Sequence, residues 1–168
     1  MATTYEAIAT VTVGSGGAAS IEFTSIPATF TDIVVLTSTR CSGSDSDIRL
    51  TFNTSGGTYT LRKLLGNGST ASSETGSNAF LRNNPSGATA STFTNSMVYI
   101  PNYAGSNAKS LSADSVAENN GTTAVAQLSA GNWSGTSAIT SIKIDSTSGP
   151  SQTLVEHSTA TLYGIKNS

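Results

Sequence analysis

Few residues of this chain could do catalytic chemistry, which needs titratable or nucleophilic side chains held in a fixed arrangement. The sequence contains one histidine, His157, flanked by Glu156 and Ser158, and one cysteine, Cys41. Adjacent residues of a strand point to opposite faces of a sheet, so the three neighbours cannot form a Ser-His-acid relay. We interpret His157 as a structural or surface residue and Cys41 as a small, semi-buried one. The sequence predicts no catalytic residue and no enzymatic activity.

Two carboxylates in the loop 43–47, Asp45 and Asp47, could offer oxygen ligands to a hard cation such as Ca²⁺. The third acid, the glycine and the terminal glutamate of an EF-hand do not follow them, which favours a solvated turn. Zinc is disfavoured because the chain lacks a set of Cys and His ligands. No predicted helix follows the glycine-rich run 14–17 to bind a phosphate, so this run is predicted to be a hairpin turn. No metal and no cofactor are therefore predicted.

The composition excludes several classes of partner. Of the 168 residues, 11% are charged and the net charge is −2, whereas typical proteins contain about 25% charged residues. No basic stripe could neutralise phosphates, which argues against nucleic-acid binding, and no segment approaches the ~20 apolar residues of a membrane span. The first six residues lack the basic start and apolar region of a signal peptide, so we expect synthesis in a cytoplasm. One cysteine cannot form a disulfide within the chain.

Alternation of apolar and hydroxyl side chains predicts about nine to eleven short strands and no helix. Ile48, Leu50 and Phe52 alternate with polar residues, and together with 58–64 they predict a hairpin over 47–64. The continuous apolar run 33–36 predicts a central strand that is covered on both faces. Residues 1–168 are therefore expected to form one all-β domain, a jelly-roll-like antiparallel β-sandwich.

Two segments lie outside this pattern. The stretch 66–94 is interrupted by Asn67-Gly68, Gly76 and Asn83-Asn84-Pro85, and it is predicted to be one long loop. Connections longer than about 12–15 residues are usually functional or disordered, so this loop is a candidate for binding a partner. Residues 1–7 are predicted to form an N-terminal arm that lies on a neighbouring molecule.

Several segments of the chain follow one another in a distinctive order: FTSIP at 23–27, the apolar run 33–36, RLTFN at 49–53, GNWSGTSAITSI at 131–142 and TLYGI at 161–165. Their order and spacing resemble those of small Ser/Thr/Gly-rich virion structural proteins of tailed bacteriophages, especially phages of cyanobacteria and marine bacteria. The resemblance covers most of the chain except 66–94. It implies a β-sandwich that serves as a head decoration (cement) protein or as part of a tail or fibre, often as a trimer.

The resulting hypothesis is a virion structural protein on the capsid surface. It would be a homotrimeric decoration protein that bridges and stabilises subunits of the major capsid protein, with no nucleic-acid or membrane partner. A compact domain without a repetitive shaft favours this role over that of a full tail fibre. Contacts are expected at the chain ends and around the 66–94 loop, with the interface residues Thr4, Tyr5, Arg62, Lys63, Phe80, Leu81 and Arg82.

The alternative hypothesis is a glycan- or receptor-binding module of a tail fibre or host-surface adhesin. Trp133, Tyr99, Tyr103 and Tyr163 could form a platform on which sugars stack, although aromatic residues also fill sandwich cores and interfaces. Trp133 lies in a predicted turn, which favours half-burial at the end of a sheet. A glycan-degrading enzyme is disfavoured, because it needs two carboxylates at a set separation and this chain has ten acidic residues, several of them in predicted turns.

Overall fold

The computed structural model describes residues 4–54, 57–118, 120–121 and 124–166, apart from the side chains of Ala79 and Phe80. Short strands with one apolar side dominate this part of the chain, and one 3-10 turn, Gly149–Ser151, interrupts them. The strands are β1 (Tyr5–Thr12), β2 (Ser20–Phe23), β3 (Asp32–Thr39), β4 (Asp47–Phe52), β5 (Tyr59–Gly66), β6 (Ala71–Gly76), β7 (Ala79–Arg82), β8 (Thr94–Pro101), β9 (Lys109–Ala117), β10 (Val125–Trp133), β11 (Ile142–Ser146) and β12 (Thr159–Ile165).

The strands form two sheets, one of eight strands in the order β1-β12-β3-β8-β9-β10-β5-β6 and one of four in the order β2-β11-β4-β7. Neighbouring strands are antiparallel in both sheets. The two sheets pack together, so the predicted all-β sandwich is confirmed. Its jelly-roll character stays a prediction.

The core lies between the sheets because alternate residues of each strand point inward. The four-stranded sheet contributes Ile21, Ile48 and Ile144, and the eight-stranded sheet contributes Ile33 and Leu162 among others, all of them buried. Each such side chain contributes about 1.5–3 kcal/mol when it leaves water. At one end of the core the rings of Phe52 and Trp133 pack edge to face, with centroids 5.7 Å apart.

The predicted hairpin over 47–64 is wrong. β4 belongs to the four-stranded sheet and β5 to the eight-stranded sheet, so the two strands do not pair with each other in a hairpin. Asn53 and Thr54 have positive φ angles of 53° and 49°, and the Asn53 side chain accepts a hydrogen bond of 2.8 Å from the backbone N–H of Thr140. The turn at 14–17 likewise joins two sheets, because β1 pairs with β12 and β2 pairs with β11.

The predicted loop over 66–94 also needs correction, because it contains β6 and β7. β6 pairs with β5 along its whole length, although its sequence ASSETG shows no apolar alternation. β7 pairs with β4 in the other sheet. The remaining loop lies between β7 and β8, where the half-buried Arg40 guanidinium donates hydrogen bonds of 2.8–3.2 Å to the carbonyls of Ser86, Ala88, Thr89 and Thr92.

The predicted N-terminal arm over 1–7 differs from the structure as well. Residues 1–3 lie outside the described ranges, but Tyr5 already pairs with Ile165 in β1 and β12. The backbone of Thr4 accepts a hydrogen bond of 3.3 Å from the N–H of Lys166. From Thr4 onward the chain is therefore part of its own sheet.

Candidate interaction surface

The outer face of the eight-stranded sheet, turned away from the four-stranded sheet, is unusually apolar. Among the described residues, the large hydrophobic side chains that are exposed all lie on this face: Tyr5, Leu36, Leu64, Met97, Val116 and Leu128. Leu64 and Leu128 are the most accessible, with 61% and 62% of their surface exposed. Single exposed apolar residues are ordinary, whereas a concentration on one face indicates an interaction site. We call this surface the apolar face.

Strand register explains why these side chains meet. The backbone pairs Leu36 with Met97, Met97 with Asp114, Asp114 with Leu128, and Leu128 with Leu64. Paired residues on neighbouring strands point to the same side of a sheet. A single row of side chains, which we call the leucine row, therefore crosses β3, β8, β9, β10 and β5.

A second row lies two residues further along the strands and has bulky side chains at one end and small ones in the middle. Register places Tyr163 beside Val34 and Val34 beside Tyr99, and the row continues through Ser112 and Ala130 to Arg62 and Thr75. We call it the tyrosine row. The small Ser112 and Ala130, together with Leu64, Met97, Tyr99 and Leu128, line a groove of about 500 Å³.

Charges at this groove fall into two groups. Lys63 points inward from β5 and forms an ion pair of 2.9 Å with Glu74, which lowers the pKa of that carboxyl group. Arg62 and Asp114 line the groove as well, and neither has an ion-pair partner within the described part of the chain. The groove is thus apolar, with one cation and one anion that are not neutralised by contact.

Tyr99 is fixed within the apolar face by a polar anchor. Its hydroxyl donates a hydrogen bond of 2.8 Å to Oδ2 of the buried Asp32, which raises the pKa of the phenol. The other carboxylate oxygen of Asp32 accepts a hydrogen bond of 2.8 Å from the backbone N–H of Asn102. The ring of Tyr99 is therefore held in place before any partner binds.

The residues predicted as an interface do not form one cluster. Tyr5 lies on the apolar face, with its ring edge-on to Tyr163 at 6.3 Å, and Arg62 lines the groove at the far side of the same sheet. Thr4 is exposed beside the start of β1. Lys63 is 8% exposed and forms an ion pair with Glu74, so its ammonium group joins β5 to β6 at the edge of the sheet.

The predicted interface residues in β7 belong to the other sheet. Leu81 is 2% exposed and packs in the core, so it is not available to a partner. Arg82 donates a hydrogen bond of 3.1 Å to Asp47, and the side chain of Phe80 lies outside the described part. The exposed leucines Leu64 and Leu128 were missed by sequence reasoning, although each alternates with inward-facing neighbours.

The aromatic residues proposed as a sugar platform are divided between core and surface. Trp133 is 2% exposed, more buried than expected, because it ends β10 and packs against Phe52. Tyr103 is fully buried and its hydroxyl donates to the carbonyl of Pro27. Tyr99 and Tyr163 stay partly exposed on the apolar face. The four rings therefore do not form one platform.

The residues considered for catalysis and metal binding have structural surroundings. His157 lies in an exposed turn with φ 70°, and its backbone N–H donates a hydrogen bond of 2.9 Å to Val13. Cys41 is fully buried, and desolvation, with the nearby Asp45 charge, raises the pKa of its thiol to about 11. In the described ranges, no group of three or more His, Cys, Asp or Glu side chains is placed to hold a metal ion.

Asp45 and Asp47 are occupied by neighbouring protein groups. The Asp45 carboxylate accepts hydrogen bonds from the hydroxyl groups of Ser146, Thr147 and Ser148 and from the backbone N–H of Ser148. Burial raises the pKa of Asp45, but these hydrogen bonds outweigh it and lower the pKa to about 2. Asp45 thus ties the start of β4 to the end of β11.

Comparisons with known proteins identify no relative of this chain: no family model, no curated protein and no solved structure matches it. In the part of the chain that the structure describes, no helix has the length and apolarity needed to cross a membrane.

Proposed function

We propose that this chain is a bacteriophage virion structural protein, and specifically a capsid decoration (cement) protein that bridges and stabilises subunits of the major capsid protein. The observation that supports an assembly role is the apolar face, where the exposed large hydrophobic residues of the described chain are concentrated. The resemblance of several sequence segments to small phage virion proteins supports the location in a virion.

Adhesion through many weak contacts suits this molecule. A decoration protein is present in many copies, and each copy needs only a modest contact with each neighbour because linked contacts reinforce one another. Low charge also suits dense packing: with 11% charged residues and a net charge of −2, neighbouring copies repel each other weakly. Bridging of capsid subunits would resist the outward pressure of packaged DNA.

The alternative function, a glycan- or receptor-binding module of a tail fibre, has less support from the described residues. Sugar recognition through stacking needs exposed aromatic rings. Trp133 and Tyr103, half of the proposed platform, are buried in the core. Tyr99 and Tyr163 could still contact a ligand, but they lie among aliphatic side chains on the apolar face.

Location and particle stability test the proposal. Virions of the phage that encodes this chain would be purified with and without it and imaged by cryo-electron microscopy, and DNA release would be followed during heating. We expect density for hundreds of copies over the shell, and release at a lower temperature from particles that lack the protein. Adding back purified protein should restore the release temperature. Equal stability of the two preparations, or a few copies confined to the tail, would contradict a decoration role.

A further inference from the structure

We propose that the apolar face binds a second copy of this chain, with the two eight-stranded sheets packed face to face about a two-fold axis. The axis runs along the strands between β8 and β9, the middle of the sheet order. This inference rests on the proposed function only in treating the apolar face as an assembly surface. The inference names the molecule that covers the apolar face: a second copy of the chain.

The area of the face is sufficient for a stable pair. Neighbouring strands lie about 4.8 Å apart and rise about 3.3 Å per residue, so eight strands of about eight residues cover roughly 900 Å². A typical stable interface buries about 800 Å² on each partner. An axis in the middle of the sheet overlaps the two faces completely, whereas an axis near either edge would overlap only part of them.

Under this axis the leucine row brings Leu36 of one copy to Leu128 of the other. The two-fold rotation reverses the strand order, so β3 lies over the partner's β10 and β8 over the partner's β9. Leu36 then meets the partner's Leu128, and Met97 meets the partner's Asp114. Because the rotation repeats every contact, the Leu36–Leu128 contact forms twice.

The tyrosine row is complementary in size. Under the same rotation Tyr99, which stays partly exposed, lies over the partner's Ser112, whereas Val34 is 2% exposed and has almost no surface to present to the partner's Ala130. The small Ser112 of one copy thus leaves room for the Tyr99 ring of the other. Interfaces that pack at interior density need this alternation of large and small residues.

The unpaired cation also finds a partner. Arg62 lies at the β5 end of the tyrosine row, and the rotation brings it over the partner's Tyr163. A guanidinium group stacks favourably on an aromatic ring, and Tyr5 packs edge-on to that ring. Asp114 gains no cation in this arrangement, so it opposes association, and Asp114→Asn should tighten the pair.

A charge-pair rescue tests the contact in solution. The mass of the wild-type chain, measured by light scattering after size exclusion, should be twice the chain mass of 17.0 kDa. Leu128→Glu and Leu36→Lys should each raise the dissociation constant at least about tenfold, because each buries an unpaired charge. The double variant should associate again, since each Lys meets a Glu of the partner across the axis. Within one chain these positions are three strands apart, about 14 Å, too far to pair with each other.

The controls separate association from folding. Ala28→Glu adds a charge at an exposed site outside the apolar face and should leave the dimer intact, and circular dichroism should show the same sheet content in all variants. A wild-type chain that stays monomeric at high concentration, or one with three times the chain mass as the phage resemblance implies, would overturn the two-fold contact. So would a double variant that stays monomeric although the wild type is a dimer.

The result is independent of the virion experiment. A chain that is monomeric in solution but covers the shell would overturn this inference and leave the proposed function standing. A chain that dimerises in solution but never binds particles would overturn the proposed function and leave this inference standing.

Discussion

On both outer faces of this sandwich, alternate side chains of each strand point outward, but the two faces carry different kinds of side chain. On the four-stranded sheet, Arg49 binds Asp145 through two hydrogen bonds of 3.1 and 2.8 Å, and Lys143 lies 3.4 Å from the same carboxylate. On the eight-stranded sheet the outer face presents leucine, methionine, valine and tyrosine side chains. Its two groove charges, Arg62 and Asp114, have no ion-pair partner in the described chain.

The charged side chains of Arg49 and Lys143 on the outer face of the four-stranded sheet are paired with Asp145, whereas the outer face of the eight-stranded sheet leaves its apolar side chains exposed. The Asp145 carboxylate raises the pKa of Arg49 through their hydrogen bonds, so the charged face is neutralised by its own residues. The apolar face cannot be stabilised in this way, because leucine and methionine side chains gain free energy only when another surface removes them from water. A chain with so few charges places several of them on the face that stays in solvent.

The largest expected effect contrasts two leucines. Leu81→Ala should lower the free energy of unfolding by about 3 kcal/mol, because it leaves a cavity in the core. Leu64→Ala, on the apolar face, should change it by less than about 0.5 kcal/mol in dilute solution, as exposed substitutions do. Urea unfolding of both variants measures the difference. Equal losses would mean that the two leucines are equally buried and would remove the distinction between core and apolar face.

The second effect tests the charged face. Asp145→Asn keeps the shape of a side chain that is 6% exposed but removes its charge, and hydrogen bonds to charged groups are worth about 1.5–3 kcal/mol. We expect the free energy of unfolding to fall by about 2 kcal/mol on that basis. Glu22→Gln, an exposed residue of the same face, is the matched control and should have little effect. Similar losses for both variants would show that the Arg49 pair contributes nothing specific.

The inward side of each strand could be predicted from the sequence. Ile48, Leu50 and Phe52 alternate with polar residues, and all three are buried. Alternation also suggested that β4 and 58–64 form a hairpin, which is wrong, because two strands with one apolar side each can face the same core from opposite sheets. The pattern fixes which residues share a face, and not which sheet the strand joins.

The apolar face could not be predicted for a related reason. Leu36 ends the apolar run 33–36, and Leu64 sits beside Leu65, so both resemble parts of a strand that is covered on both sides. Only the three-dimensional structure reveals that the side chains of Leu36 and Leu64 stay exposed, at 40% and 61%. β6 was missed because its exposed side chains have no alternation; it is held to β5 by backbone pairing and by the ion pair of Glu74 with Lys63.

The third effect is a pH dependence that belongs to the end of the four-stranded sheet. The pKa of Asp45 is lowered from 3.8 to about 2 in the folded chain. A depressed folded pKa stabilises above the unfolded value, and this contribution is lost as pH falls through the folded value. Wild type should therefore lose more stability between about pH 4 and pH 2 than Asp45→Asn does. Urea unfolding at both pH values measures this loss. If wild type and Asp45→Asn lost the same free energy of unfolding, the Ser146–Ser148 hydroxyls would not hold the carboxylate.

The smallest effect concerns an ion pair at the edge of the eight-stranded sheet. Glu6 and Lys166 approach to 3.0 Å, and about half of each side chain is exposed. Exposed pairs typically contribute below 1 kcal/mol and are screened by salt, so a double-mutant cycle of Glu6→Gln and Lys166→Gln should give a coupling of about 0.5 kcal/mol or less. A coupling as large as the loss from Asp145→Asn would mean that the eight-stranded sheet depends on charge as much as the four-stranded one. Because Lys166 also lies 5.1 Å over the ring of Phe30, the cycle is needed to separate the ion pair from this packing contact. A small coupling that disappears in high salt would show that this exposed pair adds little to the stability of the eight-stranded sheet.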